Sequence, residues 1–222
     1  MNIRGYTLLE VSLFLAISGA LTLVALLGLA PRLTNVRFTS AMRGLNENVT
    51  KQISSAELGQ NTASSKYDCS ESGGILQVES GTPDSSTCVF VGKLAVFDGS
   101  KVNFRPIIAL RSKGACTEEA YSIEAITLCN HARVLDTEST YQYTNGLTQT
   151  SDPTGYGYVK SPDNNSVHRF ILEAPSTSQI QLSAVPLSFV DIKICYQLSR
   201  RKAQLIVSPT SADPKLEFNG VC

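Results

Sequence analysis

Arg4-Gly5-Tyr6-Thr7-Leu8-Leu9-Glu10 leads without a break into the apolar run VSLFLAISGALTLVALLGLA, residues 11–30. No charge falls between Val11 and Ala30, and the only hydroxyls there are Ser12, Ser18 and Thr22. Counted from Leu8 the run is 23 residues. As an α-helix it reaches about 34 Å, enough to cross a hydrocarbon core of roughly 30 Å. Glu10 lies inside one end of it. A carboxylate at bilayer depth costs about 2.5–3.5 kcal/mol on insertion scales, so Glu10 calls for a partner.

The order Gly5, aromatic Tyr6, then Thr7-Leu8-Leu9-Glu10 resembles the processing site of type IV pilins and their pseudopilin relatives. The resemblance implies that a prepilin peptidase cuts after Gly5 and N-methylates Tyr6, the new first residue. It also implies that Glu10, fifth after the cut, serves in assembly. Ala16 and Gly19 stand where small residues are common in that family, and Pro31 lies a few residues later than the helix-kinking proline of many major pilins. The likeness covers about the first 30 residues. Two other readings fit less of the stretch. A secretory signal peptide has an apolar core of roughly 7–15 residues, and a cut after Ala30 would leave Pro31 at the new end. A plain membrane anchor explains the apolar run but not Gly5, Thr7 and Glu10 together.

The 222 residues carry 19 basic and 19 acidic side chains. Zero net charge argues against general affinity for nucleic acid or anionic lipid, though not against a local basic patch. About 165 residues follow position 57, enough for one domain with its own core. All six cysteines (Cys69, Cys88, Cys116, Cys129, Cys195 and Cys222) lie beyond the apolar run. An even count on an exported side reads as disulfides, with roughly 15 possible pairings. Sequential pairing is the simplest, because every loop is then short. No C-x-x-C or H-x-x-x-H spacing favours a metal, and no cofactor is implied. A Cys195–Cys222 bond would tie down the C-terminal tail and close a loop worth about 3.5 kcal/mol in chain entropy. Such a loop resembles the variable, surface-exposed region of many type IV pilins.

After Pro31 an approximate three-four spacing of apolar residues resumes through Leu33, Val36, Met42, Leu45, Val49 and Ile53. It predicts one long helix, broadly 6–58, membrane-spanning over about 8–30 and amphipathic after it, with Pro31 bending rather than ending it. A membrane helix followed by a separate short helix is the alternative. Residues 59–74 read as a loop pinned by Cys69. From Ile75 onward short β-runs alternate with turn residues such as Asp98-Gly99, Asn145-Gly146, Asp152-Pro153 and Asp213-Pro214. The expected fold is α+β: a long N-terminal helix packed on an antiparallel β-sheet domain over 59–222, pilin-like, behind a leader at 1–5.

Few residues suggest catalysis. His131 and His168 have no metal-spaced partner. Ser199 and Lys202 match S-x-x-K, but that chemistry needs the serine to open a helix, and here it sits between two strand runs. Arg200-Arg201-Lys202 is a basic cluster at an expected hairpin tip, a solvated turn or a contact for DNA phosphates. Asn48-Val49-Thr50 and Asn164-Asn165-Ser166 fit the glycosylation pattern.

These residues point to a non-enzymatic fibre subunit: a type IV pilin, of a length that hints at a minor one, built with other pilin subunits at an inner-membrane assembly platform. The resemblance places its N-terminus in the cytoplasm before assembly and the domain in an extracellular or periplasmic fibre afterwards. In such a fibre the α-amino group created at Tyr6 is the cation available to Glu10. A pseudopilin of a type II secretion or DNA-uptake machine and a membrane-anchored binding protein are the alternatives.

Overall fold

A computed structural model describes residues 7–58, 67–72, 75–80, 87–110, 132–136, 138–160, 167–173, 175, 180–181, 187–188, 190–211, 213–218 and 222. The fold is α+β. One helix, α1 (Leu8–Glu57), precedes β1 (Tyr67–Ser72), β2 (Ile75–Ser80), β3 (Cys88–Asp98), β4 (Lys101–Leu110), β5 (Ala132–Val134), β6 (Ser139–Gln142) and β7 (Thr148–Gln149). There follow β8 (Thr154–Lys160), β9 (Val167–Glu173), β10 (Ile180–Gln181), β11 (Leu187–Ser188), β12 (Ile192–Leu198), β13 (Arg201–Val207) and β14 (Lys215–Phe218). The helix continues through position 31 for 50 residues, so the two-helix alternative is not what forms. The chain divides into two compact units, Met1–Ser40 and Ala41–Cys222.

Within the first unit, residues Leu8–Leu26 form a helix long and apolar enough to cross a membrane, with none of it buried. Leu8 is 88% and Phe14 71% exposed. Leu33 and Val36, expected on the packed stripe, are also exposed, at 54% and 66%. Both precede the unit that contains the sheets.

In the second unit the helical spacing works as expected. Met42, Leu45, Val49, Ile53 and Ala56 recur every three or four residues and are all buried. That face meets the largest sheet. Lys93 Nζ of β3 donates to Gln52 Oε1 at 2.8 Å, and a Cβ on Gly44 would stand 3.1 Å from the Tyr141 hydroxyl.

That sheet has eight strands in the order β10-β5-β4-β3-β8-β9-β11, with β6 also on β4, and every pairing is antiparallel. Its centre is the β3–β4 hairpin, closed at Asp98↔Lys101 with Gly99 at a φ of 53°. The Asp98-Gly99 turn therefore forms where its chemistry predicts. Alternation sorts the side chains of β3. Lys93, Ala95 and Phe97 share the helix side, while Leu94 and Val96 join Ile107, Val134, Val159, Phe170 and Leu172 in a core cluster on the other. Gly157 is required there, because a Cβ would run into the Phe170 ring.

Pro106 explains the break between β5 and β6. Ile107 pairs with Val134 and Phe104 with Ser139, so two residues of β4 lie between these pairings where the neighbouring chain has four. The Pro106 carbonyl accepts from the Leu135 N–H at 2.9 Å, which shows that its missing N–H also points to this side. The neighbouring strand bulges where no donor exists. Arg105 fills the gap: its Nε donates to the Leu135 carbonyl at 2.7 Å, and only 2% of the residue is exposed. Burial lowers the Arg105 guanidinium below its ordinary pKa, and the charge of Asp136 acts in the opposite direction.

A second sheet runs β14-β13-β12-β7. Ile194, Tyr196, Ala203, Leu205 and Val207 form its buried side. It joins the large sheet through Tyr143, whose ring meets Tyr196 edge-on at 5.4 Å and 80°. The Gln149 N–H donates to the Gly99 carbonyl at 2.7 Å, and Thr150 N–H to the Cys195 carbonyl at 2.8 Å. Asn145 and Gly146, at φ 59° and 75°, form the tight turn between β6 and β7.

A third sheet is the β1–β2 hairpin, and it corrects the expectation of a loop over 59–74 for residues 67–72. The strand has only two apolar inward residues, Tyr67 and Cys69, too few for a visible pattern. It holds because Cys69 and Leu76 pack with Cys88, Ile108 and Leu135. Thr87 Oγ1 also accepts from the Cys69 N–H and donates to its carbonyl, both at 2.6 Å.

Candidate functional site

At the start of α1, Thr7 and Glu10 form a reciprocal cap. The Thr7 N–H donates to Glu10 Oε2 at 2.9 Å, and the Thr7 hydroxyl reaches the same oxygen at 3.0 Å. The Glu10 N–H returns a bond to Thr7 Oγ1 at 3.3 Å. Two N–H groups that the helix leaves unpaired at its first turn are thereby satisfied. The carboxylate also sits at the positive end of the helix dipole. The T-x-x-E spacing of Thr7-Leu8-Leu9-Glu10 carries this signal in the sequence, so the partner Glu10 calls for is its own helix start and needs no cation.

Two of the three hydroxyls within the apolar run, those of Ser12 and Thr22, are handled in the same local way. Ser12 Oγ donates to the Leu9 carbonyl at 2.9 Å and Thr22 Oγ1 to the Ser18 carbonyl at 2.8 Å. Each hides its polarity in the helix's own backbone. Apart from Glu10 and Ser18, what remains on the surface of Leu8–Leu26 is apolar. A surface of this kind is stable only in a membrane or against other apolar helices. Gly5 and Tyr6, the expected cleavage and methylation residues, lie outside the described residues.

Cys69 is bonded to Cys88 and Cys195 to Cys222. Both are pairs that sequential pairing gives; Cys116 and Cys129 lie outside the described residues. The Cys195–Cys222 bond reaches past β13, where Gln204 stands opposite Cys195 and is 3% exposed although it lies on the outward side of the sheet.

Ser199 and Arg200 form the two-residue turn between β12 and β13, with Ser199 at a φ of 56°. Arg200, Arg201 and Lys202 are exposed there. Tyr196, the nearest aromatic residue in sequence, is fully buried under Tyr143, so it offers no face for stacking. Ser199 is in a hairpin turn and not at a helix start, which leaves the S-x-x-K spacing without the geometry that chemistry needs. Asn48 donates from Nδ2 to the Gly44 carbonyl at 3.0 Å within α1. His131, Asn164 and the side chain of His168 fall outside what the structure describes.

The charged group that sequence reasoning missed is Lys93. It is 8% exposed on its side chain and held between Glu138 Oε2 at 3.2 Å and Gln52 Oε1 at 2.8 Å. Among the described residues no three His, Cys, Asp or Glu side chains converge as metal ligands would. Comparison with protein-family models, with curated proteins and with solved structures finds no match for the chain.

Proposed function

We propose that this chain is a subunit of a type IV pilus or a pilus-like fibre. The observation that carries the reading is the fully exposed apolar helix Leu8–Leu26 with one carboxylate, Glu10, fixed at its first turn. Before assembly that helix spans the membrane, with the cap from Thr7 reducing the cost of Glu10. A prepilin peptidase removes Met1–Gly5 and leaves a methylated α-amino group at Tyr6. On transfer into the fibre the helices pack against one another, and Glu10 exchanges its cap for the amine of its own or the adjacent subunit. A buried charge that loses its partner costs about 3–5 kcal/mol, which makes the pair a selector of register. The disulfide-bonded β-domain is then the part displayed outside.

Replacing Glu10 tests this reading directly. Glu10→Ala chains, expressed beside the wild type, are expected to accumulate in the membrane at normal levels and to be missing from sheared fibres. Entry of Glu10→Ala into fibres at the wild-type level would sink the proposal.

A further inference from the structure

Charge on α1 is spaced like a bilayer. Residues 11–31 separate Glu10 from Arg32 and carry no charge. As a helix that interval is about 32 Å long, close to a hydrocarbon core of roughly 30 Å. The turn after it is not a plain polar surface. Leu33 and Val36 are exposed, as are Leu26 and Leu29 before them. At about 100° per residue these four form one stripe roughly 80° wide, with Arg32 at one margin and Arg37 at the other. Both arginines are exposed, and neither side chain has a hydrogen bond or ion pair among the described residues. No acidic residue lies between Glu10 and Glu47 to answer them from the helix itself. Orientation in the membrane does not account for them either. Arg32, Arg37 and Arg43 follow the apolar run and Arg4 alone precedes it, the reverse of the bias that goes with an exported domain.

We infer that residues 29–37 form a lipid-binding collar. Arg32 and Arg37 hold phosphate groups of anionic phospholipid in the leaflet on the domain side, and Leu33 and Val36 lie among the acyl-chain ends between them. The inference rests on the membrane-spanning half of the fibre reading and not on assembly. Beyond the hydrocarbon core the headgroup layer is about 5–7 Å deep, and Arg37 stands about 7.5 Å along the helix from Arg32. One arginine therefore meets the layer at its inner boundary and the other at its outer one. Leu33 and Val36 fall within the same depth, where lipid replaces water over their exposed side chains. A guanidinium suits a phosphodiester, since its planar donors bond two phosphate oxygens at once while its apolar stem lies along the acyl chains. Anionic phospholipid is favoured over zwitterionic because no ammonium group offsets its negative charge.

Lipid selectivity of the full-length chain tests the collar. The chain is reconstituted in phosphatidylcholine vesicles at about 0.15 M salt, with spin-labelled phosphatidylglycerol or spin-labelled phosphatidylcholine as the probe. The fraction of each probe slowed at the protein surface gives their relative association. Arg32→Gln with Arg37→Gln is the test variant. Arg43→Gln is the control, because Arg43 belongs to the second unit and has Glu47 four residues on. Glutamine keeps the helix propensity, and intact mass with near-UV circular dichroism verifies disulfides and fold in each variant. An arginine near an anionic surface attracts it about fivefold. Averaged over the whole helix surface, the wild type is expected to favour phosphatidylglycerol about threefold, the double variant to fall to about parity, and Arg43→Gln to stay at the wild-type level. A wild type without preference, an unchanged double variant, or an equal loss in Arg43→Gln overturns the collar and leaves the span intact. If the wild type slows neither probe, the apolar helix does not meet lipid, and the membrane-spanning reading itself falls.

Discussion

Glu138→Ala and Lys93→Met are expected to have unequal effects although both break the same ion pair. Lys93 is 8% exposed on its side chain and Glu138 30%. Removing Glu138 leaves an ammonium group in a nearly dry site, bonded among the described residues to the Gln52 side-chain amide oxygen. Loss of one partner from a fully buried pair costs about 3–5 kcal/mol and from an exposed pair about 0–1. With one partner buried and the other at the rim, Glu138→Ala is expected to cost about 2 kcal/mol. Lys93→Met keeps the volume and the apolar stem, and the remaining carboxylate of Glu138 is wet enough to be solvated. Its cost is expected to stay below about 1 kcal/mol. In a unit of about 180 residues, roughly 2–4 °C of Tm accompanies each kcal/mol, so the shifts are about 4–8 °C and under 4 °C. The double variant should match Lys93→Met, because no stranded charge is left. Thermal unfolding of the four proteins in detergent, followed by near-UV circular dichroism, reads all of this. A Lys93→Met variant as unstable as Glu138→Ala would refute the reasoning, since it would mean that the ion pair itself supplies the stability.

Three further outcomes follow from the packing. Gly157→Ala drives a Cβ into the Phe170 ring and is expected to cost about 1–3 kcal/mol. Phe170→Leu should relieve that clash, so the pair of changes must be non-additive in denaturant unfolding. Cys195→Ser with Cys222→Ser opens a link of 27 residues and is expected to cost about 3.5 kcal/mol, or roughly 7–14 °C. An unchanged Tm would show that β14 is held without the bond. Burial raises the Tyr196 hydroxyl well above its usual pKa, with Tyr143 reinforcing it, and burial likewise raises Tyr143. The folded state therefore holds protons that the unfolded state releases near pH 10, so stability is full below about pH 10 and falls above it. Tyrosinate absorbance at these two residues should appear together with unfolding. Ionisation near pH 10 in a still-folded protein would contradict their burial.

What the sequence revealed was local. The 3.6-residue spacing from Met42 to Ile53, the Asp98-Gly99 turn and the Asn145-Gly146 turn each depend on residues a few positions apart, and each forms. The Thr7–Glu10 cap is equally local, but the same carboxylate in an apolar run also fits a distant cation, and the spacing alone does not choose between them. The rest depends on partners far along the chain. Strand β1 is polar by composition and exists because β2, Thr87 and Cys88 meet it. The Lys93–Glu138–Gln52 group spans 41 residues between Gln52 and Lys93 alone. The Tyr143–Tyr196 contact spans 53. Pro106 lies inside β4, and only its bond to Leu135, just past β5, shows which side its missing donor faces.

The fibre account depends most on what happens to the first residues, and intact mass with N-terminal sequencing of the protein from its native membrane tests that directly. The account predicts loss of Met1–Gly5 and one methyl group on the new first residue, Tyr6. A chain that still begins at Met1, or one cut after Ala30, would contradict it.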